Sequence, residues 1–372
     1  NVEVLEAANL LFEAVLLDGV DADLVLLEEL VELVEALHQE RPAARRWQRF
    51  DPDDPQWTPA KWKETFRFEK EHMQRLYTAL GLPEVMRDRY GTRWNGFDGL
   101  CVVLRRLSYP SRYKDIEEMF GRPKSELSSI FNCTLMYLYN RWNGLFLQIM
   151  HPWLTPQRLQ DFASAVHHQA PLSNVWGFID GTVRPMCRPG IGQRLFYNGH
   201  KRVHSIKFQS VVVPNGLIAH LYGPVEGRRH DAFLLQDSGL LPQLQENMDR
   251  PNPPPGEPSL YSLYEDPAYP LRAHLLGPHR AAHLTPEEEL FNTQVNRVRI
   301  CVEWEFAKIL QQFAFVDSKN LKLLLQPVAV MYAVSALMTN CYNCLYGSQT
   351  ATFFTTEDMD MRALPLEEYL QL

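Results

Sequence analysis

The spacing of hydrophobic positions changes twice along this chain of 372 residues. Between residues 2 and 38, Leu24, Leu27, Val31, Val34 and Leu37 recur every three or four positions. That spacing predicts two acidic helices broken near Gly19 to Asp23, the second one amphipathic and suited to folding onto the body or to docking a partner. Residues 51–59, rich in Pro and Asp, read as a linker. Helical spacing resumes over residues 61–150, and residues 97–139 divide into three helices at Tyr109-Pro110 and Gly121-Arg122-Pro123. Residues 113–120, the Gly/Pro turn and the helix led by Lys124 have helix-turn-helix proportions, with Lys124, Ser125, Ser128, Ser129 and Asn132 as polar readers. Any three-helix bundle would show the same pattern.

Beyond Pro171 the period shortens to that of strands. Residues 175–179 form an apolar run ending at Asp180-Gly181, and two β-rich runs, 206–213 and 217–222, flank Pro214-Asn215-Gly216. Asn-Gly between such runs predicts a hairpin. A short helix over 231–241, a stiff Pro-rich connector over 251–258 and a strand over 260–264 follow. Thr285-Pro286-Glu287-Glu288 is a capping box that opens the last helical region, in which Val295, Val298, Val302, Phe306, Ile309 and Phe313 form a buried stripe. Strands and helices in this order predict an α/β class: a mixed sheet flanked by helices, preceded by an all-α region. The expected divisions are an acidic helical segment with its linker (1–60), a helical domain (61–165), an α/β domain (166–350) and an acidic tail (351–372).

Composition narrows the function. With 45% hydrophobic and 22% charged residues the chain reads as a soluble globular protein. The net charge of −8 argues against a nucleic-acid partner only until its distribution is seen: residues 1–40 hold 11 acids and no Lys or Arg, and residues 355–372 add five acids against Arg362. The middle that remains is basic, which suits DNA. Six scattered cysteines, with Cys341 and Cys344 the one close pair, lack the second pair of a zinc site and read as reduced thiols. No charged stretch followed by an apolar one opens the chain, so a secretory leader is not expected. Residues 323–345 are long enough to span a bilayer, but Gln326, Asn340 and Asn343 interrupt them, so a buried core helix is expected and no membrane.

Four acids stand in settings that rigid elements could bring together: Asp180 and Asp266 at the ends of apolar runs, Asp231 after a basic loop, and Glu303 beside the stripe of the last helix. Two Mg²⁺ or Mn²⁺ ions roughly 4 Å apart need hard oxygen ligands of this kind to cut a phosphodiester. Each acid also has a plain reading: Asp before Gly as a turn residue, Asp266-Pro267 as a helix start, and Glu303 paired with Arg299 one turn earlier. Glu305 rivals Glu303, and His230 reads first as a structural histidine, with a ligand or a partner that orients Asp231 as the other readings. Eight bases against the single acid Glu226 lie between residues 184 and 229: Arg184, Arg188, Arg194, Lys201, Arg202, Lys207, Arg228 and Arg229. With Lys124 they are the candidate DNA-binding residues.

Phe66-Arg67-Phe68, Gly177-Phe-Ile-Asp180-Gly-Thr182, Tyr197-Asn-Gly-His-Lys-Arg-Val-His204, Gly227-Arg-Arg-His-Asp231, Asp266-Pro-Ala-Tyr-Pro270, Leu284-Thr-Pro-Glu-Glu288 with Phe291-Asn292, and Val302-Glu303-Trp-Glu-Phe306 follow one another in order. Together they resemble the PIF/Harbinger class of transposases and the nucleases derived from Harbinger transposases, over roughly residues 64–345. The resemblance implies a ribonuclease H-like fold, Asp180, Asp266 and Glu303 as the catalytic DDE set, and Asp231 as a further metal-associated aspartate. It also implies two Mg²⁺ or Mn²⁺ ions, cleavage at transposon ends that exposes a 3′-OH, and joining of that hydroxyl to target DNA. A separately encoded Myb-like accessory protein, a homo-oligomer and nuclear action are implied as well. Trp304, Glu305 and Glu265 depart from the family's usual residues at their positions. A domesticated, catalytically silent DNA-binding or scaffold protein is the alternative, and a ribonuclease H-like hydrolase acting on RNA a second one.

Overall fold

The structure, a computed structural model, describes residues 48–267, 269–317 and 327–371. The acidic helices expected over residues 2–38 lie outside the described residues. Thr58 caps the first described helix, Pro59–Phe66, by accepting from the Lys61 amide, with Pro59 pre-set for the first helical turn. Trp57, Trp62 and Phe66 pack with Phe50 into an aromatic cluster at its foot. Helices Lys70–Ala79, Gly96–Ser108, Tyr113–Ile116 with Glu117–Phe120, and Lys124–Trp142 follow, with a small hairpin of β1 (Val85–Arg87) and β2 (Arg93–Asn95) between the first two. The helices break at both places the sequence indicates, and Gly121 takes the left-handed conformation, φ 59°, that a side chain would resist. Of the expected polar readers, Ser129 donates to Asp88 at 2.5 Å and Asn132 to the Ser128 carbonyl at 2.9 Å. Lys124 and Ser125 stand exposed at the helix start.

The sheet is built on β3 (Val175–Pro185), β4 (Tyr197–Asn198), β5 (Val203–Val212), β6 (Ile218–Glu226), β7 (Ser262–Glu265) and β8 (Leu275–Leu276). β3 runs antiparallel to β5, which pairs antiparallel with β6, while β7 lies parallel to β3 and β8 parallel to β7. This mixed sheet flanked by helices is consistent with a ribonuclease H-like fold. The β5–β6 hairpin turns at Asn215-Gly216, where Gly216 has φ +80°. The capping box at Thr285 forms: Glu288 N donates to Thr285 Oγ1 and Thr285 N donates to Glu288 Oε2. It starts the long helix Pro286–Gln312, whose stripe of Val295, Val298, Val302, Phe306 and Ile309 is buried facing β3 and β5.

From Arg49 onward the chain forms one compact unit. Its last long helix, Val328–Tyr346, is apolar enough to cross a bilayer by length and composition, yet most of it is buried inside the protein. Asn340 and Asn343, two of the amides that interrupt its apolar run, are ties. Asn340 accepts from Ile218 N at 2.9 Å and donates to Ile218 O at 2.9 Å and to the Tyr369 hydroxyl at 2.8 Å, fixing the helix to the edge of β6. The acidic C-terminal segment is fastened down: Leu364, Leu366, Tyr369 and Leu370 are buried, and Glu367 accepts two bonds from Arg75, each 3.0 Å. Apolar residues alternating with its acids supply that anchor.

Candidate active site

Sheet register brings two of the four acids side by side. Ile179 pairs with Glu265 in the parallel β3–β7 ladder, so Asp180, midway along β3 because that strand runs on past the expected end to Pro185, comes level with Asp266, which follows the last residue of β7. The Pro286–Gln312 helix packs on β3 and β5 and delivers Arg299 and Glu303 from one face, four residues apart. The Arg299 guanidinium then lies among three carboxylates: Nη1 is 3.5 Å from Asp180 Oδ2 and 3.9 Å from Asp266 Oδ2, and Nη2 donates to Glu303 Oε1 at 2.9 Å. The plain pairing of Glu303 with Arg299 is present, and it joins a larger cluster.

Asp231 arrives from the start of the helix Asp231–Asp237. Its Oδ1 accepts from Lys207 Nζ at 2.6 Å and presses on Gly181: a Cβ there would stand 2.5 Å from that oxygen. Gly181 is therefore required by close approach. His230 sits exposed at the N-cap of the same helix. Lys207, expected on a phosphate-binding surface, is buried at 6% exposure and also donates to the Arg229 carbonyl at 3.0 Å. Alternation along β5 turns its side chain to the acids, so its charge is used inside. Arg184 is likewise turned inward, donating to Thr182 and lying over the Tyr332 ring. Arg229 lies over Phe233 and pairs with Glu226 at 3.0 Å. Arg188, Arg194, Lys201, Arg202, Arg228 and Lys124 are exposed.

The electrostatics follow from burial. Desolvation pushes the Asp180 carboxyl up to about 6; the Gly181 amide and Arg299 pull it back, while Asp266 and Asp231 add repulsion. Glu265, fully buried beside them, is pushed up to about 7 by the same cause, with Arg280 at 3.1 Å opposing it. Tyr269 lies under the cluster. Its hydroxyl is buried without a hydrogen-bond partner, and burial together with the charges of Asp231, Asp180, Glu265 and Asp266 holds it well above the ordinary tyrosine range. Glu305, the rival of Glu303, points the other way: it is 1% exposed and accepts from Thr350 Oγ1 at 2.7 Å and Asn343 Nδ2 at 3.1 Å. Tyr269 and Arg299 are the residues that sequence reasoning assigns no part in the site. Tyr269 lies within Asp266-Pro-Ala-Tyr-Pro270, and Arg299 is visible in the sequence only as the helical neighbour of Glu303.

Among the described residues no group of three or more His, Cys, Asp or Glu side chains is already drawn together around one point as a metal site. The donor set nonetheless has the right chemistry for a hard divalent cation: carboxylate oxygens on or beside two neighbouring strands and on a helix, one of them pushed up mainly by burial and further by neighbouring carboxylates whose repulsion a cation would relieve, and a buried phenol hydroxyl left without a partner. The fold and this site define an acid-lined centre on the two neighbouring strands β3 and β7 of a mixed sheet covered by helices. A family model described as DDE superfamily endonuclease matches residues 179–340, a span that includes all four acids, and supports that superfamily. No curated protein and no solved structure matches the chain.

Proposed function

We propose that this chain is a divalent-metal-dependent DNA endonuclease of the transposase type. The observation that carries the reading is the meeting of Asp180, Asp266 and Glu303, far apart in sequence, around one guanidinium. In this reading those three carboxylates and Asp231 hold two Mg²⁺ or Mn²⁺ ions, which supply a polarised phosphate and an activated water when bound. Lys207 holds Asp231 against Gly181, and the Pro286–Gln312 helix fixes the direction from which Glu303 approaches. The buried Tyr269 hydroxyl offers a donor among the acids. Exposed Arg188, Arg194, Lys201, Arg202 and Arg228 suit the phosphate backbone on either side of the cut, and Lys124 a more distant phosphate.

The resemblance to PIF/Harbinger transposases supports the finer parts of the proposal: transposon ends as substrate, joining of the 3′-OH to target DNA, a Myb-like accessory protein, a homo-oligomer and nuclear action. The test is nicking of supercoiled DNA by the purified chain with Mn²⁺. Asp180→Ala is expected to lower the rate by about a hundredfold or more, the upper end of what even outer-shell residues cost a metal centre. The silent-scaffold alternative finds its support in the two cations that already neutralise the acids, Arg299 and Lys207. A scaffold would bind the DNA and release no metal-dependent product.

A further inference from the structure

Arg299 and Lys207 both reach the acidic cluster, and they are held very differently. Lys207 is locked: its ammonium is 2.6 Å from Asp231 Oδ1 and 3.0 Å from the Arg229 carbonyl, with 8% of the side chain exposed. Arg299 makes one close contact, 2.9 Å to Glu303, and stands back from Asp180 at 3.5 Å and Asp266 at 3.9 Å, distances at the edge of direct hydrogen bonding. It thus sits where the three carboxylates converge, yet only Glu303 grips it. An arginine also has the reach to leave without disturbing its helix, because its charge is carried at the end of a flexible stem.

Each side needs the other in the absence of metal. Carboxylates crowded around one point repel one another, and a largely buried guanidinium without anions would be costly. A divalent cation on the same oxygens makes the guanidinium a like charge at short range. We propose that Arg299 is a resident stand-in cation: it holds Asp180, Asp266 and Glu303 together while metal is absent and must be displaced for metal to load, so it sets the metal concentration at which the site fills. This inference rests on the metal-site reading above and adds a control on it.

The experiment is calorimetric titration of the metal-free full chain with Mn²⁺, with thermal melting alongside, for wild type, Arg299→Gln, Arg299→Lys and Asp180→Asn. Arg299→Gln is expected to bind Mn²⁺ about tenfold or more tightly than wild type, as loss of a like charge close to the ion requires. Its metal-free melting temperature should fall and saturating Mn²⁺ should restore it. Should Arg299→Gln fail to fold, Arg299→Lys carries the test. One ammonium cannot span three carboxylates, so Mn²⁺ should again bind more tightly, by a smaller factor. Equal or weaker Mn²⁺ binding by the folded Arg299 variants overturns the proposal. If Asp180→Asn abolishes binding while the Arg299 variants match wild type, only this inference fails. If no variant and no wild-type protein binds Mn²⁺, the metal-site reading fails and takes this one with it.

Discussion

Glu265 shows how far one side chain can be pushed by its place in the sheet. Its strand ends beneath the acidic cluster, one carboxylate oxygen meets Arg280, and the other is buried without a partner. Because burial raises its pKa from 4.5 to about 7, the folded protein binds a proton there that the unfolded chain has released. Stability from this group is therefore present below the ordinary glutamate range and declines as pH rises through about 7. Glu265→Gln removes that decline. Melting curves should show the variant more stable than wild type at pH 8, by up to roughly 2–3 kcal/mol, with the difference closing toward pH 5. At this scale the sequence is legible in part. Asp180, Asp231, Asp266 and Glu303 are readable as candidates from their settings, whereas Glu303 and Glu305 can be told apart only by the helix face each occupies. Two positions along a helix point to opposite sides, and the core has taken Glu305. The inward turn of Lys207 depends on which face of β5 meets the acids, a fact its own neighbours do not encode.

Elements whose signals are local are the readable ones. The Asn-Gly hairpin, the Thr285 capping box and the stripe on the Pro286–Gln312 helix each rest on residues within a few positions of one another, and all three form. The Val328–Tyr346 helix is readable as buried, but the use of its amides is not, because Asn340 works across more than a hundred positions to reach Ile218. Removing that side chain leaves a backbone amide, a carbonyl and the Tyr369 hydroxyl buried and unpaired. Asn340→Ala is expected to cost about 2–4 kcal/mol in denaturant unfolding, beyond what loss of packing by so small a side chain explains. Asn340→Asp should also destabilise, since it keeps the acceptor and loses the donor.

The whole molecule joins an acidic surplus to a locally basic surface. Helical and strand regions share one core, so the exposed bases of residues 188–202 and Arg228 are carried on the same body as the four acids. A combined Arg194→Ala, Lys201→Ala, Arg202→Ala variant should weaken DNA binding about equally for unrelated sequences. Its salt dependence should be shallower by about 0.9 in log–log slope for each phosphate that is no longer neutralised, read by titration at several salt concentrations. An unchanged slope would move the DNA path elsewhere on the surface. The convergence of residues 180, 231, 266 and 303 is a property of this scale. It needs the β3–β7 register, the close approach at Gly181 and the crossing of a long helix, none of which a single segment announces.

The central claim is that these carboxylates share divalent cations, and anomalous diffraction from crystals of the full chain grown with Mn²⁺ addresses it most directly. Manganese peaks are expected bonded at about 2.1 Å to oxygens of Asp180 and of Asp266 or Glu303, with the Arg299 guanidinium moved away from them. Manganese bound elsewhere, or carboxylates that keep Arg299 with saturating Mn²⁺ present, would contradict it.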